Sequence, residues 1–419
     1  MKSILISKSN PDLYGSITLP ASKSLSNRLL IMNALSGHEL KIKGLSVAED
    51  TVLLQKLLIE IISANVSKGL VELDVNNAGT VMRFLTAFLA IRPGKWILTG
   101  NDRMKQRPIG ILVDALRSLG AGIDYLAKLG YPPLMIHGKP LHGNEIIIDP
   151  GESSQYASAL LMIAPFLPHG LSLHLKGESV STPYMEMTIE LMKQYGAHVR
   201  KSKHVVSVKP GTFLPIDSDV EGDWSAAAFW YEAAVFAREV DLELTGLTDK
   251  GLQGDSVLAE IYANFGIQTR YTSSGIRLTR FPQKIDGFFF NFTDHPDIAP
   301  AVIATCAGLG IRGHFEGLKS LRIKETDRIQ AMKTELEKLG VKVEISGRLE
   351  AISTFDVKPA KLNNHAATTI ETYGDHRMAM TFAPLALRFG SIRITNPDVV
   401  AKSYPGFWND MKEVGFSVE

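Results

Sequence analysis

ELEKLGVKVEI, residues 335 to 345, reads as an amphipathic helix stopped by Gly340 and followed by a strand in which apolar and polar residues alternate. Four other segments share the design: ALRSLGAGIDY, LMKQYGAHVR, IYANFGIQTR and MKEVGFSVE, with glycines at Gly120, Gly196, Gly266 and Gly415. In chain order the five glycines are 76, 70, 74 and 75 residues apart, close enough to one period to predict a repeated supersecondary unit. Each can supply the left-handed residue that ends a helix. One period before Gly120, the helical stretch TVLLQKLLIEIISANV lacks the glycine, so a sixth unit there is expected to be degenerate. Six such units account for the chain, and two groups of three predict two similar domains. The acidic segment DSDVEGDW, residues 217 to 224, reads as a crossing between them.

The 419 residues, 45% of them hydrophobic, are enough for two domains with ample cores. Net charge is +1, from 45 basic and 44 acidic residues, which argues against the global basic field of a nucleic-acid binder. Any affinity for anions must be local. The apolar stretch in MKSILISKSNPDLYGS is too short for a signal peptide, and no uncharged run reaches the roughly 18 residues of a membrane span. A soluble cytoplasmic protein is expected. The only cysteine, Cys306, lies in an apolar run and reads as a core residue. There is no GxxxxGK[ST], no strand-linked GxGxxG and no metal-spaced Cys/His cluster, and His137 and His142 read as loop residues. Neither a metal nor another cofactor is expected.

Local cations sit at the starts of helices. In LRIKETDRIQAMKTELEKLG, Lys324 and Arg328 are four apart, which would place them on one face at a helix opening. Other helices open in ASKSLSNR with Lys23, Ser24 and Arg28, in NNAGTVMR with Gly79 and Arg83, in ESSQYAS with Ser153, Ser154 and Gln155, in STPYMEMT with Ser181 or Thr182 as cap, and in TYGDHRMAM with Asp375 as cap before His376 and Arg377. A serine cap alone needs no function. Cations in the first turn oppose the helix dipole by about 0.3–1 kcal/mol unless an anion compensates. Lys23, Arg83, Lys324, Arg328 and Arg377 all sit in or near that position, which points to a multiply charged anion bound where helix N-termini converge. RMKQRPIG adds Arg103, Lys105 and Arg107, and AKSYPGFW adds Lys402 in a turn. The acid and base candidates are Glu325, Asp297 and His376. Asp297 precedes an apolar helix, so a capping role competes with that of a base.

Taken together, ASKSLSNR, NAGTVMR, RMKQRPIGILVDAL, ESSQYASALLMIAP, STPYMEMT, EGDWSAAAF, QGD, HPDIAPA, KETDRIQAM, TYGDHRMAM and AKSYPGFW run in one order along nearly the whole chain. In that order they resemble the 5-enolpyruvylshikimate-3-phosphate synthase family of enolpyruvyl transferases. The resemblance implies an α/β (α+β) fold of two similar domains, each of three βαβαββ units with helices buried and sheets outside, and an active site in the interdomain cleft. The domains would comprise residues 1–19 with 222–419, and residues 20–221.

It also implies the reaction. The 5-hydroxyl of shikimate 3-phosphate attacks carbon-2 of phosphoenolpyruvate, a tetrahedral phosphoketal forms, and phosphate leaves. By motif, Ser24, Arg28, Ser153, Ser154, Ser181, Tyr184, Asp297 and Lys324 would hold shikimate 3-phosphate. Lys23, Gly79, Arg107, Gln155, Arg328, Arg377 and Lys402 would surround phosphoenolpyruvate. Asp297, Glu325, Lys324 and Lys23 would carry the catalysis, with Asp297 receiving the hydroxyl proton and Glu325 and Lys324 handling the methyl proton. A monomer, free of nucleic acid and membrane and a target of glyphosate, is expected on the same ground.

The chain departs from the family pattern at three places. Ser320 stands where many relatives have Asn, Phe84 where many have Pro, and the stretch from Leu57 to Asn76 is short. A related transferase acting on UDP-N-acetylglucosamine would need a cysteine- or acid-bearing loop at the reacting methylene, and Cys306 is in the wrong context. An RNA 3′-phosphate cyclase would need a nucleophilic histidine, but His376 sits in the transferase pattern. A non-catalytic phosphate-binding protein would not need the acid and base candidates retained here.

Overall fold

The computed structural model describes residues 2–37, 42–64, 69–149, 154–176, 182–346, 354–358 and 367–419. One unit shows the plan. Strand Leu70–Asp74 leads into helix Gly79–Ile91, strand Gly94–Thr99, helix Gly110–Ser118, and then the antiparallel strands Gly122–Tyr125 and Leu134–Gly138. In the sheet the order is first, second, fourth, third strand, with the first pair parallel and the rest antiparallel. The same order recurs in the sheets formed by Glu145–Ile148, Leu171–Leu175, Val199–Lys201 and Val205–Val208, and by Gly287–Asn291, Arg312–Glu316, Lys342–Ser346 and Thr354–Lys358.

Two sheets draw their strands from distant parts of the chain. Leu13–Thr18 lies parallel to Val240–Thr245, which is followed by the hairpin Ile267–Tyr271 and Gly275–Arg280. Thr368–Ile370 and Ser391–Thr395 form the parallel pair of the other, and its antiparallel pair is Ser3–Ser7 with Ser417–Val418. The sixth unit is reduced to a parallel pair, Ile42–Lys43 with Ser218–Asp219, among the described residues. Its second helix, Glu49–Ser63, belongs to the stretch that lacks the glycine.

The glycines behave as their sequence context requires. Gly120, Gly196, Gly266, Gly340 and Gly415 have φ of +100°, +84°, +82°, +81° and +88°. At four of them the next residue's N–H returns to a carbonyl five residues back: Ala121 to Leu116, Ala197 to Met192, Val341 to Leu336 and Phe416 to Met411. This is the Schellman closure, and all eight of these side chains are buried, so each stop also packs helix end on strand start.

Chain contacts divide the protein into two compact units. One comprises Met1–Ser22, Val47–Glu49 and Glu221–Glu419, and holds three four-stranded sheets. The other comprises Lys23–Ser46 and Asp50–Val220, with two four-stranded sheets and the two-stranded remnant. Within each, the first helix of every repeat packs against its counterparts: Gly79–Ile91 against Lys23–Ser36 and Ser154–Ile163 in one, and Ala299–Leu309 against Trp224–Phe236 and His376–Phe382 in the other. Gly79–Ile91, Trp224–Phe236 and Ala299–Leu309 are apolar and buried on nearly all sides, as inner helices must be. The strands cover them with one face in, as the burial alternation of Leu171–Leu175 and Val240–Thr245 shows. Cys306 is one of the buried residues of the Ala299–Leu309 helix, and burial pushes its thiol pKa up. No helix among the described residues is long and apolar enough to cross a membrane.

A Cβ at Gly120 would meet nothing within 4 Å, whereas one at Gly196 would lie 2.6 Å from Leu214 Cδ1. Gly120→Ala should therefore cost only the backbone penalty, about 1–2 kcal/mol, and Gly196→Ala more. Denaturant unfolding of the two variants checks this, and equal losses would contradict it.

Candidate active site

The six helices whose starts drew attention in the sequence begin at Lys23, Gly79, Ser154, Thr182, Arg328 and His376, and none carries an acidic residue in its first turn. At the helices that begin at Arg328 and His376 the capping carboxylates of Asp327 and Asp375 meet the N-terminal dipole, while the other four first turns bring no acid of their own to it.

In the unit containing both ends of the chain, seven charged side chains meet. Arg328, 1% exposed, opens its helix behind the cap Asp327, whose carboxylate accepts from the N–H groups of Ile329 and Gln330. Its Nε donates to Asp375 Oδ2 at 2.7 Å and its Nη2 to Glu325 Oε2 at 2.8 Å, while its Nη1 lies 3.3 Å from Asp297 Oδ1. Lys324 Nζ is also 3.3 Å from Asp297 Oδ1, and Arg377 Nη2 is 3.3 Å from Oδ2. Arg377 Nη1 donates to the Asp297 carbonyl at 2.8 Å. Lys402 Nζ stands 4.0 Å from Glu325 Oε1.

Burial by itself would favour a protonated Asp297, but Arg377, Lys324 and Arg328 outweigh it and hold the carboxyl well below its usual range. Burial in turn lowers the pKa of Lys324, only partly opposed by Asp297.

In the other unit, Lys23 Nζ pairs with the buried Asp50 at 3.0 Å. Arg28 donates through Nε to Thr188 Oγ1 at 2.7 Å, and through Nη2 to Ser158 Oγ at 3.2 Å and the Tyr184 carbonyl at 3.0 Å. Its Nη1 reaches the Ser24 carbonyl at 2.9 Å. Arg83 bonds the carbonyls of Gly79 at 2.9 Å and Pro108 at 3.2 Å, and Arg107 that of Asn77 at 3.2 Å. Gln155 Nε2 donates to Thr80 Oγ1 at 3.2 Å. Arg28 and Arg83 thus meet neutral oxygens, which leaves their charges uncompensated by a carboxylate in these bonds. Burial pulls the Arg28 pKa down to about 10, still charged at neutral pH. Gly79 lies against the heads of Arg83 and Arg107, and a Cβ there would fall 2.6 Å from Arg83 Nη1.

Several expectations change. Lys324 and Arg328 do not share a helical face, because Lys324 follows the short 3₁₀ helix Lys319–Ile323 in extended conformation, and the α-helix begins only at Arg328. They meet at Asp297 instead. Asp297 is not the cap residue of the helix that follows: Ile298 stands at that position before Ala299–Leu309, without a side-chain cap bond. Lys402 ends a 3₁₀ helix, Pro397–Lys402, rather than sitting in a turn. His137 lies in the strand Leu134–Gly138 rather than in a loop. Lys105 approaches only Asp102, on the surface at 3.8 Å. Ser154 is buried, Ser24 and Tyr184 are half-buried, and Ser153 and Ser181 lie outside the described residues.

The sequence reading also missed partners. Asp50, which the sequence reading did not single out, pairs with Lys23, and Asp375, read there only as a cap, both caps Arg377 N–H and binds Arg328. Ser158 and Thr188 left a fainter signal, as hydroxyls within the helices Ser154–Ile163 and Thr182–Gln194. Among the described residues no group of three or more His, Cys, Asp or Glu is placed to hold a metal ion.

Because the folded pKa of Asp297 is depressed, its contribution to stability is present above the unfolded value of about 4 and is lost as pH falls from there toward the folded value. Urea unfolding from pH 5 downward should show this loss, and Asp297→Asn should flatten that acid limb. An unchanged slope would mean that the three cations do not act on this carboxyl.

The model of EPSP synthase (3-phosphoshikimate 1-carboxyvinyltransferase) matches residues 8–411. A 3-phosphoshikimate 1-carboxyvinyltransferase of Bacteroides fragilis is 46% identical over 408 residues, covering 97% of each chain. One of a Sulfurovum species is 35% identical over 428 aligned positions, covering 96% of this chain and 97% of its own. A solved EPSP synthase from Acinetobacter baumannii superposes with a TM-score of 0.77 over 100% of both chains at 22% identity, a likeness of fold. With the family model spanning nearly the whole sequence and relatives aligned end to end, the chain belongs to the EPSP synthase family.

Proposed function

We propose that this protein transfers the enolpyruvyl group of phosphoenolpyruvate to the 5-hydroxyl of shikimate 3-phosphate and releases phosphate, as a step of the shikimate pathway. The observation that carries the chemistry is the placing of two carboxylates, Asp297 and Glu325, among Lys324, Arg328, Arg377 and Lys402. Proton-transfer groups are set within a field that attracts anions, and both substrates carry phosphate and carboxylate.

In this reading the hydroxyl oxygen bonds to carbon-2 of phosphoenolpyruvate as its proton passes to Asp297, and carbon-3 gains a proton from Glu325 or Lys324. Loss of a proton from the new methyl group then regenerates the double bond as the carbon–oxygen bond to phosphate breaks. Before substrate binds, Asp297 is a weak base, because its cations hold it ionised. Substrate anions that engage Arg328, Arg377 and Lys324 would relieve that field and raise its basicity when the hydroxyl is in place. The lowered pKa of Lys324 suits it to share proton traffic.

Lys23, Gly79, Arg107, Gln155, Arg328, Arg377 and Lys402 are assigned to phosphoenolpyruvate. Ser24, Arg28, Ser153, Ser154, Ser181 and Tyr184, with Asp297 and Lys324, are assigned to shikimate 3-phosphate. The uncompensated charge of buried Arg28 supports an anionic partner nearby, since a buried cation is costly without one. We take the enzyme to act as a cytoplasmic monomer, without metal or cofactor, and to be a target of glyphosate.

Phosphate release by the purified protein should require both substrates and yield the enolpyruvyl ether by mass spectrometry; release with phosphoenolpyruvate alone, or no product, would overturn the assignment. Glu325→Gln should retain substrate binding and lose turnover by at least about 100-fold, and an unchanged rate would remove Glu325 from proton transfer. Gly79→Ala should raise KM for phosphoenolpyruvate and the glyphosate concentration for half-inhibition, each roughly tenfold, because a methyl displaces the arginine heads. Superimposable inhibition curves would place Gly79 away from the ligand.

A further inference from the structure

The helix that opens with Arg328 touches the segment carrying Arg377 at a second place, two turns further on. Glu335 on that helix is fully buried. Its Oε1 accepts from the Tyr373 hydroxyl at 2.6 Å, and its Oε2 accepts from the Glu371 backbone N–H at 3.1 Å and from Lys338 Nζ at 2.6 Å. Tyr373 holds φ of +53°, a left-handed conformation rare outside glycine, and Gly374 follows at +69°. Such backbone persists only where its surroundings hold it. Next come Asp375, bonded to Arg328, and Arg377, bonded to Asp297. The near end is tied as well, since Thr395 Oγ1 donates to Glu371 Oε2 at 2.8 Å.

Had Glu335 served only as a helix ion pair with Lys338, three residues on, it could have done so in water at no desolvation cost. Its carboxylate is instead buried and spans the strained turn, with one oxygen on Glu371 and the other on Tyr373. We propose that Glu335 is a positioning residue: together with Arg328 it straps residues 371–377 to one rigid helix, so that the Arg377 guanidinium keeps its place for phosphoenolpyruvate. This rests on the assignment of Arg377 to phosphoenolpyruvate above.

Two variants of the full-length enzyme test it. Tyr373→Phe removes one hydroxyl from a half-exposed ring and should fold normally; Glu335→Gln keeps the shape and removes the charge. Both should speed hydrogen–deuterium exchange in the peptide covering 371–377 while leaving the rest of the protein unchanged. Both should raise KM for phosphoenolpyruvate roughly three- to tenfold, as expected for a displaced binding group, with KM for shikimate 3-phosphate within about twofold. The double variant should lose less than the sum of the two single variants, because both changes act on the Glu335–Tyr373 bond. Unchanged exchange would overturn the strap. Faster exchange with unchanged KM for phosphoenolpyruvate, or equal increases for both substrates, would overturn the positioning role. If the wild-type enzyme turned over neither substrate, the proposed function would fail by itself, and the exchange measurement would still decide whether Glu335 holds the turn.

Discussion

The candidate site depends on one buried guanidinium. Arg328 is nearly inaccessible, and a charge so placed must be met by oxygens on every side. Asp375, Glu325 and Asp297 supply them, and each belongs to a different stretch of chain: the turn before the His376–Phe382 helix, the loop after the 3₁₀ helix, and the start of the Ala299–Leu309 helix. Three segments distant in sequence are fixed to one point. Replacing Arg328 would release three carboxylates whose repulsion it now balances, so any binding role it has cannot be separated from its structural one.

Under the proposed function, the same site shows why affinity and catalysis need opposite settings. Cations that would draw in phosphate also suppress the basicity of Asp297. A site with fewer of them would have a better base and a weaker hold on its substrates. In that reading ligand charge would change the protonation behaviour, so that the base becomes effective only once the site is occupied.

The repeat was legible in the sequence because each unit needs a helix stop at the same place, and only glycine meets it without strain. Gly120, Gly196, Gly266, Gly340 and Gly415 therefore mark the architecture even where other side chains share little. The cationic helix starts were legible for a similar reason, since a lysine or arginine in a first turn violates a local preference. What could not be read was tertiary. Nothing local to KETDR shows that Lys324 lies outside the helix, because both geometries bring it near an anion. Nothing local to Glu335 separates it from an exposed helix acid: its hydroxyl partner, Tyr373, is 38 residues away.

One sheet is completed only when Ser3–Ser7 lies between Ser391–Thr395 and Ser417–Val418. During synthesis, the first strand made must therefore wait for the last two before it has neighbours on both edges. Its partners are about as far away in sequence as this chain allows, which makes that sheet the contact of highest loop-closure entropy and a late event in folding. The unit formed by residues 23–46 and 50–220 faces no such wait, because every strand in its sheets has been synthesised by residue 219, with about half the chain still to come. The two units, alike in plan, are thus expected to mature at different times, the second while the first still has an open edge.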